Sequence, residues 1–304
     1  MNKENRTINL ERCPVCASPA IVPYKKGSLK PFDLDPERLR ITDADYGLTW
    51  DLSYCLACHF VFANPCPHPN WLVSVYSQLK DPDYESEAEG RRRNFRRILR
   101  RLEKITSGRN LLDVGAATGM LLAEARLSGW RVAGVEPSRW AVEAARRKYG
   151  LEIYQGSLEN FETNGTLYDA VTLIDVLEHT PNPRRMMEKT RLTLKPDGIA
   201  ALVTPDLKSL MARLAGKRWW HFRPGHLGYF TRESLQKLLD LTGFSPLLWK
   251  RYSWNFSLNY ILARLPYFSA LTTIPRLTSL WSIIRIKLSL GDSFEVYARK
   301  RADL

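Results

Sequence analysis

The sequence predicts an α/β fold, with a largely parallel sheet covered by helices on both faces, preceded by a small cysteine-rich module. From residue 109 onward, short apolar runs alternate with amphipathic helical runs, which is the pattern of such a sheet. Ahead of these runs stand two CxxC motifs. A composition of 44% hydrophobic and 25% charged residues is typical of a folded globular protein and excludes overall disorder.

Each element of the sheet follows from a local pattern. Apolar runs predict strands, and amphipathic runs that stop at Gly129 and Gly150 predict helices. Thr231 is expected to be the N-cap of a later helix. The predicted strands are 110–114, 130–136, 151–155, 168–175, 199–205, 244–250 and 294–300, and the predicted helices are 121–128, 138–150, 183–194 and 231–243.

The paired cysteines predict a metal site. Cys13 and Cys16 form one CxxC motif, and Cys55 and Cys58 form another after 38 intervening residues. Four thiolates can bind one tetrahedral zinc ion, which stabilises a segment too short to build a core of its own. A redox dithiol is the alternative, but neither pair begins a helix in a βαβ unit. We therefore expect a structural zinc module over residues 1–80.

A glycine-rich turn follows the first predicted strand. Ligands of open parallel sheets bind at the carboxyl ends of the strands, and DVGAATG (113–119) lies at that edge. The turn lacks the glycines of a dinucleotide fingerprint and the lysine of a phosphate-binding loop. Glu136 ends the second strand, where a carboxylate can accept hydrogen bonds from a ribose diol. A nucleoside without a pyrophosphate fits this pattern, although the glycines alone fit a tight turn between strand and helix equally well.

Five motifs in order, LLDVGAATG, GVEPS, YDAVTLIDVLEHTPNP, LKPDGIAALVTPD and HLGYFTRESLQKLLDLTGF, closely resemble class I S-adenosylmethionine-dependent methyltransferases. With the paired cysteines, the chain looks like the subgroup that carries an N-terminal zinc module. The resemblance covers about residues 11–250 and the final strand. It implies a Rossmann-like seven-stranded sheet of order 3-2-1-4-5-7-6 in a domain over residues 109–304, and S-adenosylmethionine as cofactor. The residues implied to bind it are Asp113, Gly115, Ala116 and Gly119 at the methionine end, Glu136 at the ribose, Pro137, Ser138, Ser157 and Leu158 around the adenine, and Asp175 closing the pocket.

Two positions depart from the family pattern. Ala117 replaces the middle glycine of the loop, and this replacement is harmless if Ala117 has a negative φ. Ser157 stands where the family often has an acidic residue at the adenine amine. The adenine contacts are therefore the part of the site that the resemblance defines least.

Methyl transfer needs a general base only when the acceptor atom must lose a proton. The candidates are His226, in the loop before the helix at 231, and His179, just after the fourth strand, with Tyr229 assisting either. His179 belongs to the LEHTP motif, where fixing the loop by hydrogen bonds is the alternative role. For His226, the alternatives to a base are substrate orientation and a structural role.

The chain is basic, with 45 Lys and Arg against 32 Asp and Glu. Residues 81–108 contain an arginine-rich amphipathic helix, whose charged face is either solvated or binds an anionic partner. Residues 251–291 form an aromatic and basic insertion without acidic residues. This insertion either forms a helical cap over the substrate pocket or contacts a membrane surface peripherally.

The sequence thus predicts a methyltransferase acting on a small-molecule, glycan or lipid-linked acceptor by O- or C-methylation. The alternative is a nucleic-acid-binding or nucleic-acid-modifying protein with the zinc module and arginine-rich helix as its contact surface, but nothing resembles an RNA-recognition motif. The N-terminus lacks the pattern of a signal peptide, and no apolar run is long enough to span a bilayer. We expect a cytoplasmic protein, or one bound peripherally at the inner membrane face.

Overall fold

The computed structural model describes residues 6–29, 36–40, 42, 46–263 and 274–302. Short strands and one helix form the N-terminal module. Its elements are β1 (Thr7–Ile8), β2 (Ile21–Lys25), β3 (Leu52–Cys55), β4 (Val61–Ala63), β5 (Cys66–Pro67) and α1 (Pro69–Ser77). Strands β2, β3 and β4 pair in antiparallel fashion, and β1 pairs with β5.

A long helix, α2 (Ala88–Ile105), connects the module to the rest of the chain. Its predicted apolar face is buried, because Phe95, Ile98, Leu99 and Leu102 pack into the core. Several of its arginines also have partners within the protein. Arg92 and Arg96 both form ion pairs with the buried carboxylate of Glu124.

The remaining elements alternate along the chain as the sequence predicts. They are β6 (Asn110–Val114), α3 (Met120–Leu127), β7 (Arg131–Glu136), α4 (Arg139–Tyr149), β8 (Tyr154–Gln155), β9 (Tyr168–Ile174), α5 (Pro183–Thr193), β10 (Leu194–Pro205), α6 (Leu210–Ala215), β11 (Gly228–Tyr229), α7 (Arg232–Leu241), β12 (Phe244–Arg251), β13 (Trp254–Ser257), α8 (Leu258–Ala263), α9 (Pro275–Ile283), β14 (Arg285–Leu288) and β15 (Ser293–Lys300). Helix α7 begins at a capping box in which the Thr231 hydroxyl accepts from the Ser234 amide and the Ser234 hydroxyl accepts from the Thr231 amide.

Seven strands form the central sheet, in the order β8-β7-β6-β9-β10-β15-β12. Strand β15 lies antiparallel between β10 and β12, whereas β6 to β10 are parallel to one another. When these seven strands are numbered in chain order, the order across the sheet is 3-2-1-4-5-7-6, and the predicted topology is confirmed. Strand β8 is shorter than predicted, because only Tyr154 and Gln155 pair with β7. The preceding Leu151 and Ile153 are buried against residues of α3 and α4.

The N-terminal module shares a sheet and a core with the C-terminal half of the chain. Strand β11 pairs with β4, so the module's sheet has the order β11-β4-β3-β2. Trp50 and Trp71 of the module belong to one buried apolar cluster with Trp219, Phe222 and Tyr229. The segment between β10 and α7 is therefore packed against the module.

The insertion before the last strand contains α8 and α9, and it also contains a strand pair that the sequence analysis did not predict. Strands β13 and β14 pair in antiparallel fashion from Trp254 opposite Leu288 to Ser257 opposite Arg285. Residues 264–273 of this insertion lie outside the described residues. Among the helices that the structure describes, none combines the length and apolar character needed to cross a bilayer.

Candidate active site

A cavity of about 720 Å³ opens at the carboxyl ends of β6, β7 and β9. One side is formed by the glycine-rich turn after β6 and by the residues that follow β7 and β8. The opposite side is formed by the segment after β9, the segment 218–226 and the insertion. A cavity of this volume is within the usual range of ligand sites, and it joins the predicted cofactor side to the predicted acceptor side.

The turn between β6 and α3 needs glycine at two positions. Gly115 has a φ of 72°, and a Cβ atom there would lie 2.8 Å from the Val176 side chain. Gly119 has a φ of 79°, and a Cβ atom there would lie 2.9 Å from the Leu151 side chain. The condition under which alanine would be harmless at position 117, a negative φ, is not met, since its φ is 46°. The left-handed conformation costs an alanine about 1 kcal/mol, and it aims the Ala117 amide at Glu136.

Glu136 is buried at the end of β7, where its carboxylate holds the turn together. Oε2 accepts a hydrogen bond from the Ala117 amide at 2.9 Å, and Oε1 accepts one from the Ser138 amide at 2.8 Å. Burial raises the pKa of Glu136, while these two hydrogen bonds oppose the rise. Each carboxylate oxygen keeps a second lone pair, so the group can accept further hydrogen bonds from a ligand.

Two more carboxyl groups line the cavity, Asp113 within β6 and Asp175 directly after β9. Asp113 accepts a hydrogen bond from the Thr172 hydroxyl at 2.6 Å, and burial raises its pKa to about 7. Burial also raises the pKa of Asp175 to about 7. Asp175 has a φ of 53°, and its Oδ1 atom has no hydrogen-bond partner among the described residues. A residue with a strained backbone and a buried carboxyl oxygen that has no partner among the described residues is typical of a ligand site.

The remaining predicted cofactor residues also line the cavity. The Ser138 hydroxyl caps α4 by accepting from the Ala141 amide, and it donates to the carbonyl of Leu79 at 2.8 Å. Pro137 lies beside it, and Leu158 is buried at the start of a short 3₁₀ helix that follows Ser157. Nine of the ten residues predicted to bind the cofactor line this cavity, and they are Asp113, Gly115, Ala116, Glu136, Pro137, Ser138, Ser157, Leu158 and Asp175. The tenth, Gly119, lies in the turn but packs against Leu151 and Ala145 instead of lining the cavity.

The acceptor side of the cavity contains three histidines in contact. The rings of His179 and His226 meet edge to face at 4.7 Å, and His221 stacks on His226 at 5.7 Å. His179 Nδ1 lies 2.9 Å from the Tyr76 hydroxyl, and burial lowers the pKa of His179 to about 3. Burial also lowers the pKa of His226, whose Nδ1 atom has no hydrogen-bond partner among the described residues.

Tyr229 does not line the cavity. Its ring packs against Phe222 at 5.1 Å in the core of the module, and its hydroxyl donates to the His226 carbonyl at 3.2 Å. In this position Tyr229 supports the loop that carries His226.

Several cavity residues were not found by sequence reasoning. Tyr76 comes from the module, Tyr84 and Arg91 come from the segment around the start of α2, and His221 and Asp292 lie far apart in the sequence. No motif distinguishes them, because their proximity depends on how the module and β15 pack against the sheet. The one sequence signal was the concentration of aromatic residues in the insertion, from which Tyr252, Trp254, Phe256 and Tyr260 line the cavity.

The four paired cysteines of the module lie close together. Their sulfur atoms all lie within 4.8 Å of one another, and the Cys13–Cys58 and Cys16–Cys55 distances are both 3.6 Å. Four thiolates at about 2.3 Å from a tetrahedral zinc ion would be about 3.8 Å apart. The donor set and its geometry therefore fit zinc. Cys66 is buried elsewhere, where burial raises the pKa of its thiol to about 12.

The sheet order, the glycine turn after its first strand and the buried carboxylate after its second strand together define a class I S-adenosylmethionine-dependent methyltransferase domain. Comparison with known proteins agrees. A family model described as a methyltransferase domain matches residues 85–248, which is more than half of the chain. The protein belongs to this family.

Curated relatives match part of the chain. The ubiquinone biosynthesis O-methyltransferase of Actinobacillus pleuropneumoniae serotype 5b (strain L20) is 30% identical over 124 residues, which are 37% of this chain and 53% of that protein. The enzyme of the same name from Rickettsia prowazekii (strain Madrid E) is 35% identical over 122 residues, 36% of this chain and 48% of that protein. The chain thus spans about half the length of these relatives.

Among solved structures, magnesium protoporphyrin IX methyltransferase from Synechocystis PCC 6803 with bound SAH is 16% identical with a TM-score of 0.49, covering 73% of this chain and 88% of that one.

Proposed function

We propose that this protein transfers the methyl group of S-adenosylmethionine to an oxygen atom of a small-molecule acceptor. The observation that carries the proposal is the single cavity that joins the glycine turn and Glu136 to a cluster of histidines. The relatives named as O-methyltransferases support oxygen as the atom that is methylated.

The carboxyl groups of the cavity suit a cationic ligand. Asp113 and Glu136 are buried and Asp175 is half-buried, and desolvation raises the pKa of each. A ligand that brings positive charge next to them favours their ionised forms, and S-adenosylmethionine carries both an ammonium and a sulfonium group. We assign Asp113 to the ammonium group, Glu136 to the ribose hydroxyls and Asp175 to the closing wall of the pocket.

When bound, S-adenosylmethionine supplies an electrophilic methyl group and a neutral thioether as leaving group. The contribution of the protein is then to position the acceptor oxygen in line with the methyl carbon and to exclude water. A hydroxyl acceptor must also lose its proton, and the histidines on the acceptor side provide the base. His179 and His226, the two candidates that the sequence predicts, both lie on this side, and His179 Nδ1 already faces the Tyr76 hydroxyl.

The acceptor side is aromatic. Phe256 stacks on Trp254 at 5.8 Å and on Tyr260 at 4.6 Å, and all three line the cavity together with Tyr252. We propose that the insertion at 251–291 acts as a cap that encloses an apolar or aromatic acceptor.

A lipid-linked acceptor is the second candidate, with peripheral membrane contact through the same insertion. Leu280 and Ile283 of α9 are 56% and 76% exposed, and residues 251–291 contain no acidic residue. An apolar helix face in a cationic setting suits an anionic bilayer. Sedimentation with vesicles containing phosphatidylglycerol separates the two candidates, because a cap alone predicts no vesicle binding.

For the module, we propose one structural zinc ion held by Cys13, Cys16, Cys55 and Cys58. A site of four thiolates is closed, so its role is to stabilise the module.

Two measurements test the proposed activity. Titration calorimetry should show binding of S-adenosylmethionine in the absence of any other ligand. Transfer of a radiolabelled methyl group should then be measured with phenols, sugar nucleotides and transfer RNA as acceptors. Failure to bind S-adenosylmethionine would refute the proposal. Methylation of RNA alone, with binding that weakens steeply with salt, would favour the nucleic-acid alternative.

A further inference from the structure

A buried carboxylate faces one of the three histidines on the acceptor side. Asp292, in the loop before β15, is almost fully buried, and its Oδ2 atom lies 3.2 Å from Nε2 of His221. The same oxygen accepts a hydrogen bond from Nε1 of Trp220 at 2.8 Å. The hydrogen bond from Trp220 therefore helps to fix the position of the Asp292 carboxylate next to His221. All three side chains line the cavity.

The three histidines differ in their environment. His179 faces a tyrosine hydroxyl through Nδ1, and His226 is 4% exposed with Nδ1 unpartnered among the described residues. In the part of the chain that the structure describes, His221 alone among the three is within ion-pair distance of a carboxylate, at 3.2 Å, whereas the Glu178 carboxylate lies within 4.8 Å of His179 and His226 without forming an ion pair. The His221 side chain is 13% exposed, which is compatible with contact with a molecule in the cavity.

The carboxylate determines which nitrogen of His221 carries the proton. An ionised carboxylate only accepts hydrogen bonds, so Nε2 is the protonated nitrogen. Nδ1 is then unprotonated, and no hydrogen bond to it exists among the described residues. A carboxylate that orients a neutral imidazole and stabilises its protonated form is the usual support of a histidine base.

We propose that His221, oriented by Asp292, is the general base of the reaction, and that His226 supports the ring of His221 by stacking. The inference rests on the proposed O-methyl transfer. The acceptor hydroxyl gives its proton to Nδ1 of His221, and the electron pair left on oxygen forms the new bond to the methyl carbon. The carbon–sulfur bond breaks with its electron pair remaining on sulfur. The imidazolium form of His221 is stabilised by Asp292 until the proton passes to solvent.

Other charged and titratable groups also influence His221. Burial lowers its pKa, Arg223 lowers it further, and Asp292 raises it. His226, which stacks on His221, and His179, which contacts His226, are neutral because burial lowers the pKa of both. The pKa of His221 is therefore set mainly by the balance between burial and the Asp292 carboxylate.

The first test requires no acceptor. Two-dimensional NMR of the full chain with ¹⁵N-labelled histidine reports the tautomer and the pKa of each ring. We expect wild-type His221 to be protonated at Nε2, and Asp292→Asn to lower its pKa and shift the proton toward Nδ1. Asp240→Asn, on the exposed face of α7, is the matched control and should change neither. A wild-type His221 protonated at Nδ1, or a pKa insensitive to Asp292→Asn, would overturn the proposal.

The second test separates a base from a structural residue by the acidity of the acceptor. Catechol must lose a proton during transfer, whereas 4-nitrocatechol is largely ionised in mildly alkaline buffer. His221→Ala should lower turnover with catechol roughly 100-fold but change turnover with 4-nitrocatechol less than about threefold. Equal losses with both phenols would contradict a base, and so would a larger selective loss in His226→Ala. If wild-type protein binds S-adenosylmethionine but methylates neither phenol, a catechol is not an acceptor, and the NMR measurement still decides the pairing of His221 with Asp292.

Discussion

Replacement of Glu136 tests the geometry of the cofactor side most directly. The carboxylate accepts two backbone hydrogen bonds in the structure, from Ala117 and from Ser138. In Glu136→Ala, both amides lose their partner in a buried setting, and each unsatisfied group costs about 1 to 3 kcal/mol. Because water can enter the cavity and satisfy part of this loss, we expect unfolding free energy to fall by about 2 kcal/mol.

Cofactor affinity should fall independently of this loss of stability. Two charge-assisted hydrogen bonds to a ribose diol are together worth about 2 kcal/mol, which corresponds to roughly a 30-fold weaker Kd. Glu136→Gln keeps the size of the side chain but replaces one acceptor oxygen by a donor, so it should lose affinity while losing less stability. Titration calorimetry with S-adenosylmethionine and urea denaturation measure the two effects.

Glu143 provides the matched control for Glu136. It lies on the exposed side of α4, where it forms ion pairs with Arg139 and Arg147. Surface pairs of this kind contribute little, so Glu143→Ala should change stability by less than about 1 kcal/mol and leave affinity unchanged. Wild-type affinity in Glu136→Ala would refute the assignment of the ribose to this residue, whatever happened to stability.

Three further predictions concern the module and the turn. Cys13→Ser should abolish binding of one zinc ion per chain, measured by elemental analysis, whereas Cys66→Ser should retain it; protein that folds without metal would contradict the zinc site. Ala117→Gly should raise the unfolding free energy by about 1 kcal/mol in urea denaturation, because it relieves a positive φ, while Ala116→Gly should not stabilise the protein. Asp113 has a pKa raised to about 7 by burial, so the folded state keeps a proton that the unfolded state loses above about pH 4, and stability decreases as pH rises toward 7. Asp113→Asn carries no such proton, and its melting temperature relative to wild type should therefore rise between about pH 4 and 7; a constant difference would show that Asp113 does not titrate in this range.

The sheet could be predicted from the sequence because its signals are local. The apolar run at 110–114 and the capping box at Thr231 need no knowledge of the rest of the chain. The order of the strands, by contrast, came from the resemblance. The cofactor side was predictable for a related reason, since its residues directly follow strands whose carboxyl ends share one edge.

The acceptor side could not be predicted in the same way. His221 and Asp292 are 71 residues apart, and they meet only because β15 inserts between β10 and β12. Backbone conformation at Ala117 was also beyond sequence reasoning, because the hydrogen bond that fixes its φ comes from Glu136 on the next strand. In both cases a tertiary contact overrides the local preference of the residue.

Strand β11 makes the module inseparable from the segment that precedes α7. Besides the pairing of β11 with β4, the Trp50 indole donates to the Pro224 carbonyl at 2.9 Å, and the Ala63 amide donates to the Leu227 carbonyl at 2.7 Å. These bonds hold both sides of the loop that carries His226. A chimera that exchanges the N-terminal 80 residues for those of a relative would therefore need the matching segment 206–230 as well. In recombination or engineering, the two segments constitute one transferable unit, although 125 residues of sequence (81–205) separate them.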